Sequence, residues 1–170
     1  MTEASGRSGR RPTISTEELR VWRSFLETSE ALKSELAQRL QEDADLSPGD
    51  YVVLLALSEA EGRHLRSSEL AAKVGWERSR LSHHLGRMER RGLIGREDCA
   101  TDQRGAEVVL AAAGARAFRR ATAPHLRAIR ELFVDALTPE QLRTLDEVST
   151  ALRARGHLVT RSTTDEPTPT

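Results

Sequence analysis

The sequence predicts a mainly α-helical fold with one small β-hairpin. Three observations carry that prediction. Between residues 67 and 114 the chain reads as a helix, a tight turn at Gly75, a second helix rich in Arg and His, and two short β-prone runs joined by a polar loop. On both sides of that stretch, apolar residues recur at helical spacing. Aromatic residues are only 4% of the chain and charged residues 31%, while apolar residues reach 38%, a balance that favours a soluble helical protein over a sheet-rich one. Helix, turn, helix and hairpin in that order describe a winged helix-turn-helix lobe, here with helices flanking it on its N- and C-terminal sides.

Residues 1–14 and 157–170 are Ser, Thr, Gly, Pro and charge with few apolar anchors, and both read as disordered tails. Arg7, Arg10 and Arg11 lie in the first of them. A single domain is expected over 15–156. Its first helix starts near Ser15 or Thr16, since Ser15 and Glu18 have capping-box spacing. Leu19, Trp22, Leu26, Leu32, Leu36 and Leu40 then trace a helical stripe to about Gln41. A helix this long between polar segments needs a large packing surface, and a partner subunit is a good candidate. The second helix opens at Ser47-Pro48-Gly49-Asp50, a cap followed by Pro and an early acid, and is expected to end at Gly62.

The third helix covers about Ser67 to Val74, with Leu70, Ala71 and Val74 inward, and the small Ala71 permits a close crossing. The fourth runs from about Glu77 to Arg91. Its Leu81, Leu85 and Met88 share one face, and Gly92 stops it. Residues 93–97 and 106–110 read as the two strands of a wing, with Thr101, Asp102, Gln103, Arg104 and Gly105 between them. A long helical stretch follows from Ala111 to Leu137, with a kink or break expected at Pro124. Thr138-Pro139-Glu140-Gln141 starts a final helix, whose stripe is Leu142, Leu145, Val148 and Leu152. There is no internal repeat.

The formal net charge is zero, but the distribution is uneven. Six arginines (78, 80, 87, 90, 91 and 96) stand against Glu77 and Glu89 between residues 76 and 96, a local charge of +4 that the rest of the chain balances with −4. Two readings are open: one surface built to face a nucleic acid, or a chain in which Arg is simply abundant, Lys occurring only at 33 and 73. The longest apolar run, residues 51–57, falls far short of the ~20 residues of a membrane span. The first fifteen residues have no apolar core, so no secretory signal is expected. The lone cysteine, Cys99, cannot form an internal disulfide, which fits a reducing cytoplasm.

As chemistry, the fourth helix suits a major groove. Arg78 and Arg80 have the forked donors that bond guanine edges. Ser79, Ser82 and His83 offer short polar groups, and Arg87 lies where it would meet a phosphate. Ser67 and Ser68, at a helix start, present hydroxyls and N–H groups to a phosphate. Arg104, at the hairpin tip, is placed to enter a minor groove, with Asp102 either orienting it or simply forming the turn. For Arg78, Arg80 and His83 the alternative is a solvated helix face. His84 is expected to be partly buried.

These residues resemble the multiple-antibiotic-resistance regulator (MarR) family. Arg91-Gly92-Leu93-Ile94, Asp102-x-Arg104-Gly105, Val108-x-Leu110 and Gly114 follow the family's RGL…DxRG…VxLTxxG pattern. Arg78-Ser79 with Ser82 and Arg87-Met88-Glu89 is similar to its recognition helix. The likeness extends from about residue 17 to 155. The chain departs in having Ala111 where the family's capping Thr stands, and Arg66 where a Thr often caps the third helix, with Ser67 as the substitute. The resemblance implies an obligate homodimer, with a stem from 15–46 and 111–156 and a winged lobe over 47–110. It implies repression at a near-palindromic operator, relieved by a small phenolic or anionic effector in a crevice. Trp22, Tyr51 and Trp76 are the effector-binding candidates, against a core-packing role for each.

Other chemistries have little support. Cys99 at the wing's base permits a redox-responsive regulator. A winged-helix module for protein contacts, without DNA binding, is a further alternative. His83 and His84 point about 100° apart, and no Cys/His set has metal-ligand spacing. No phosphate loop, paired buried carboxylates or serine elbow is present, so no enzyme, cofactor or metal is expected. His125 reads as a structural histidine or a pH-sensitive one.

Overall fold

A computed structural model describes residues 13–98 and 106–155 of the chain. The tails as read over 1–12 and 157–170 lie outside these residues, as do the wing-tip positions Asp102 and Arg104 and the cysteine at 99. The chain divides into two compact units, residues 1–35 and 36–170.

Helix α1, Thr16–Ala44, begins in the first unit and ends in the second. Its start is closed as the sequence predicts: Glu18 N–H donates to Ser15 Oγ at 3.2 Å, and Ser15 N–H to Glu18 Oε2 at 2.7 Å. In the first unit Val21, Trp22, Phe25 and Leu26 are exposed. At the other end Leu40 and Ala44 are buried, and Asp45 turns the chain with a positive φ of 54°.

The second unit holds the lobe. Helix α2, Pro48–Ser58, is capped by Ser47 in a full box with Asp50. It ends at Ser58, short of Gly62. That glycine (φ 65°) instead lies, with Arg63 (φ 59°), in the left-handed region within a short 3₁₀ turn, Glu61–Arg63, which carries the chain into strand β1, His64–Arg66. Helix α3, Ser67–Val74, follows at once. Arg66 rather than Ser67 occupies its cap position, and Glu69 accepts the Arg66 N–H at 3.2 Å. Gly75 (φ 64°) closes α3, with Trp76 N–H donating back to the Ala71 carbonyl.

Helix α4, Arg78–Arg90, buries Leu81, Leu85 and Met88 as its 3.6-residue pattern requires. Gly92 (φ 68°) ends the turn after it, with N–H groups of Gly92 and Leu93 returning to Glu89 and Met88. Strands β2, Ile94–Asp98, and β3, Ala106–Leu110, pair antiparallel. The ribbon is wider than the sequence reading allowed: β1 pairs on the other side of β3, giving the order β1-β3-β2.

Helix α5, Ala112–Ile129, runs through Pro124 without ending there. A π-helical turn follows over Arg130–Val134. Helix α6, Pro139–Ala154, starts with the predicted box between Thr138 and Gln141. The core of the lobe is Val53, Leu54, Leu57, Leu70, Val74, Leu81, Leu85, Met88 and Val108, all essentially excluded from water. Each contributes about 2 kcal/mol relative to exposure. Gly114 lies against the Leu93 carbonyl so closely that any β-carbon there would overlap it. The glycine is therefore a matter of clearance between α5 and the foot of the wing.

Candidate nucleic-acid interface

Burying Leu81, Leu85 and Met88 turns the opposite side of α4 outward. Arg78, Ser79, Arg80, Ser82, His83 and Arg87 are all exposed on it. Arg80 is not loose: its guanidinium carbon sits 4.6 Å from the centre of the Trp76 ring, a cation–π contact that orients the head group. Arg78, Arg80 and Arg87 have no carboxylate partner among the described residues. Two of the other arginines in the cluster are committed internally. Arg96 Nε lies 3.4 Å from Glu89 Oε2 and its Nη2 donates to the Ser82 carbonyl, which ties β2 to α4. Ser68 is exposed on the first turn of α3 and Ser67 is half-buried beside it.

Arg91 is the second internal arginine, and it belongs to a group that sequence reasoning missed. Its Nη1 donates to Asp50 Oδ2 at 2.7 Å, and its Nη2 donates to the Asp45 carbonyl. Asp50 is 3% exposed. It also accepts the Ser47 N–H at 2.9 Å and faces His84 Nε2, 3.0 Å from its Oδ1. Burial opposes ionisation of Asp50, but its bonds with His84, Ser47 and Arg91 outweigh that, and its carboxyl is held well below the usual carboxylate range. His84 is buried, as expected, and stands edge-on to Trp76 at 5.1 Å. Its other ring nitrogen, Nδ1, is 2.8 Å from Arg87 Nη2. The local signal for this group is Asp50 as an early acid after the Ser47 cap; its partners lie far along the chain.

Trp76, Arg80, His83, His84 and Arg87 line a cleft of about 420 Å³ with Pro48, Gly49 and Val52 of α2. Tyr51 is not among its lining residues. Tyr51 packs instead on Phe118 and His125, at 5.2 and 4.7 Å between ring centres. Burial lowers the pKa of His125. Trp22 lies in the first unit, tilted against Phe25 at 6.5 Å. No cluster of three or more metal-binding side chains occurs among the described residues. No helix among them is long and apolar enough to cross a membrane.

The MarR family model matches residues 44–105, from the end of α1 to the residue before β3. AbsC, a MarR family transcriptional regulator from Streptomyces coelicolor, is 36% identical, with a TM-score of 0.76 over 86% of this chain and 99% of its own. Sco3205, a MarR family transcriptional regulator of the same organism crystallised in complex with DNA, is 38% identical, with a TM-score of 0.77 over 84% of this chain and 93% of its own. The fold is shared by the more distant PcaV regulator of S. coelicolor, solved with its natural ligand, at 23% identity and a TM-score of 0.64 over 85% of this chain and 99% of its own. Among curated proteins none matches the sequence. With two regulators more than a third identical along nearly their whole lengths, the chain belongs to the MarR family of transcriptional regulators.

Proposed function

We propose that the chain is a homodimeric, sequence-specific DNA-binding repressor in which α4 enters the major groove and the wing reaches the adjacent minor groove. The observation that carries this reading is the outward face of α4. Arg78, Ser79, Arg80, Ser82, His83 and Arg87 form an exposed surface without acidic partners among the described residues. Ser67 and Ser68 serve as phosphate contacts at the start of α3, and Arg104 with Asp102 serves at the wing tip. That a 38% identical relative was crystallised with DNA supports the same assignment.

Dimerisation accounts for the apolar side chains left in water. Val21, Trp22, Phe25 and Leu26 are exposed in the first unit, and Leu126, Val134, Val148 and Leu152 in the second. A second copy would cover them. Release by a small phenolic or anionic effector completes the reading, with Trp22, Tyr51 and Trp76 as its aromatic contacts. The ligand must favour the arrangement that does not fit DNA. Repression takes place in the cytoplasm, where the operator is.

The test is a gel shift and footprint of the full-length protein on the region upstream of its own gene. Two protected half-sites about one helical turn apart, ~10 bp centre to centre, are expected. No shift at low salt, or one asymmetric half-site, overturns the reading.

A further inference from the structure

We propose that His84 is a positioning residue for DNA recognition: through Nδ1 it orients the Arg87 guanidinium at the edge of the α4 surface, and Asp50 keeps the imidazole in the tautomer that allows it. The proposal rests on the reading of α4 as the DNA-contacting helix.

The chemistry follows from the donor inventory. A guanidinium has only N–H donors, so the 2.8 Å contact between Arg87 Nη2 and His84 Nδ1 requires a lone pair on Nδ1. The ring's proton is then on Nε2, which lies 3.0 Å from Asp50 Oδ1; the N–H is off the line of a hydrogen bond, and the nearby carboxylate favours the proton there by charge. Asp50 cannot turn away, because Ser47 N–H and Arg91 Nη1 hold its other oxygen. Nor can the ring swing toward α2, since even a β-carbon at Gly49 would lie 2.8 Å from His84 Cε1. Trp76 stands edge-on to the same ring.

The result is a fixed acceptor beneath a mobile cation. A free arginine side chain loses roughly 2 kcal/mol of rotamer entropy when it is immobilised. Held by His84, Arg87 has part of that ordering done before a duplex arrives. A carboxylate in the same place would orient the guanidinium and also cancel its charge. A neutral imidazole orients it and leaves the full charge for a phosphate. The acid facing the ring, Asp50, lies on the ring's far nitrogen, and the other polar side chains lining the cleft, Arg80 and His83, are not acidic.

The experiment measures affinity by fluorescence anisotropy, using full-length protein and a duplex enriched from a random-sequence pool by the wild type. Arg87→Met is expected to weaken binding about tenfold and to lower the salt slope by about one. His84→Gln keeps a group facing Asp50 but removes the acceptor at the Nδ1 position. It should weaken binding about fivefold with the salt slope unchanged. His84→Asn places an oxygen near the Nδ1 position and should stay within about twofold of wild type. In the Arg87→Met background His84→Gln should have no further effect. His84→Met, an apolar filler, is the second acceptor-free variant if Gln compromises folding, and should match it.

The proposal is overturned if His84→Gln costs as much without Arg87 as with it, if Asn is as poor as Gln, or if both acceptor-free variants bind like wild type. Where Arg87→Met and Arg78→Ala weaken binding but the His84 variants do not, only the role of His84 falls. Where no α4 variant changes affinity, or the wild type enriches no duplex, the DNA-contacting assignment of α4 falls with it.

Discussion

Arg91 donates to Asp50 across 2.7 Å, joining the residue that follows α4 to the first turn of α2. The sequence pattern suggested a cation for the outer surface; the fold uses it as an internal tie. A partner buried to 3% exposure cannot lose this tie cheaply, because water does not replace it. Asp50→Asn is expected to cost about 2 kcal/mol, read as a lower urea midpoint with an unchanged slope. Loss of less than about 0.5 kcal/mol would mean that the pair is dispensable.

Stability should rise with pH across the acid range, for two separable reasons. The carboxyl of Asp50 is depressed in the fold, so its contribution is complete above the unfolded carboxylate range, about pH 5, and is lost as pH falls toward the folded value. The pKa of His125 is lowered by burial, so below about pH 6.5 the unfolded chain takes up a proton that the fold resists, and stability falls there too. Urea titrations from neutral to acid pH should show both stages. Asp50→Asn should flatten the lower one and His125→Gln the upper one. A profile that neither substitution alters contradicts both assignments.

Helix α5 begins without a side-chain cap. Ala111 has the extended geometry of an N-cap, φ −70° and ψ 156°, but no hydroxyl. Ala111→Thr should raise stability by about 1 kcal/mol, seen as a higher melting temperature with DNA affinity unchanged. No gain would mean that the N–H groups of the first turn are already satisfied.

Phosphate contacts make affinity fall steeply with salt. Arg104→Ala at the wing should weaken operator binding at least severalfold and leave the dimer intact by light scattering, whereas Arg78→Ala should also relax the base preference at one position. Unchanged affinity for Arg104→Ala at moderate salt would remove the wing from the interface.

What was legible in the sequence was local. The boxes at Ser15 and Thr138 and the cap at Ser47 are read from neighbouring residues, and each is present; at Ser47 the early acid Asp50 completes a box as well. The inner face of α4 follows from the spacing of Leu81, Leu85 and Met88. Three residues at 64–66 are too few to show any period, so β1 was invisible until β3 supplied its partner. Gly62 has the look of a helix stop, yet α2 ends at Ser58 and the glycine turns the chain beyond it. Pro124 sits inside α5, which runs on to Ile129. The ties of Asp50 to His84 and Arg91 join α2 to α4 and the residue after it, and no propensity or spacing rule connects residues 41 positions apart.

The clearance at Gly114 has a mechanical corollary. Helix α5 rests directly on the Leu93 carbonyl, and Ala111 N–H donates to that same oxygen at 3.2 Å. Such a joint leaves little room for α5 and the root of the hairpin to move independently. A tilt of α5 would therefore press first on the root of β2.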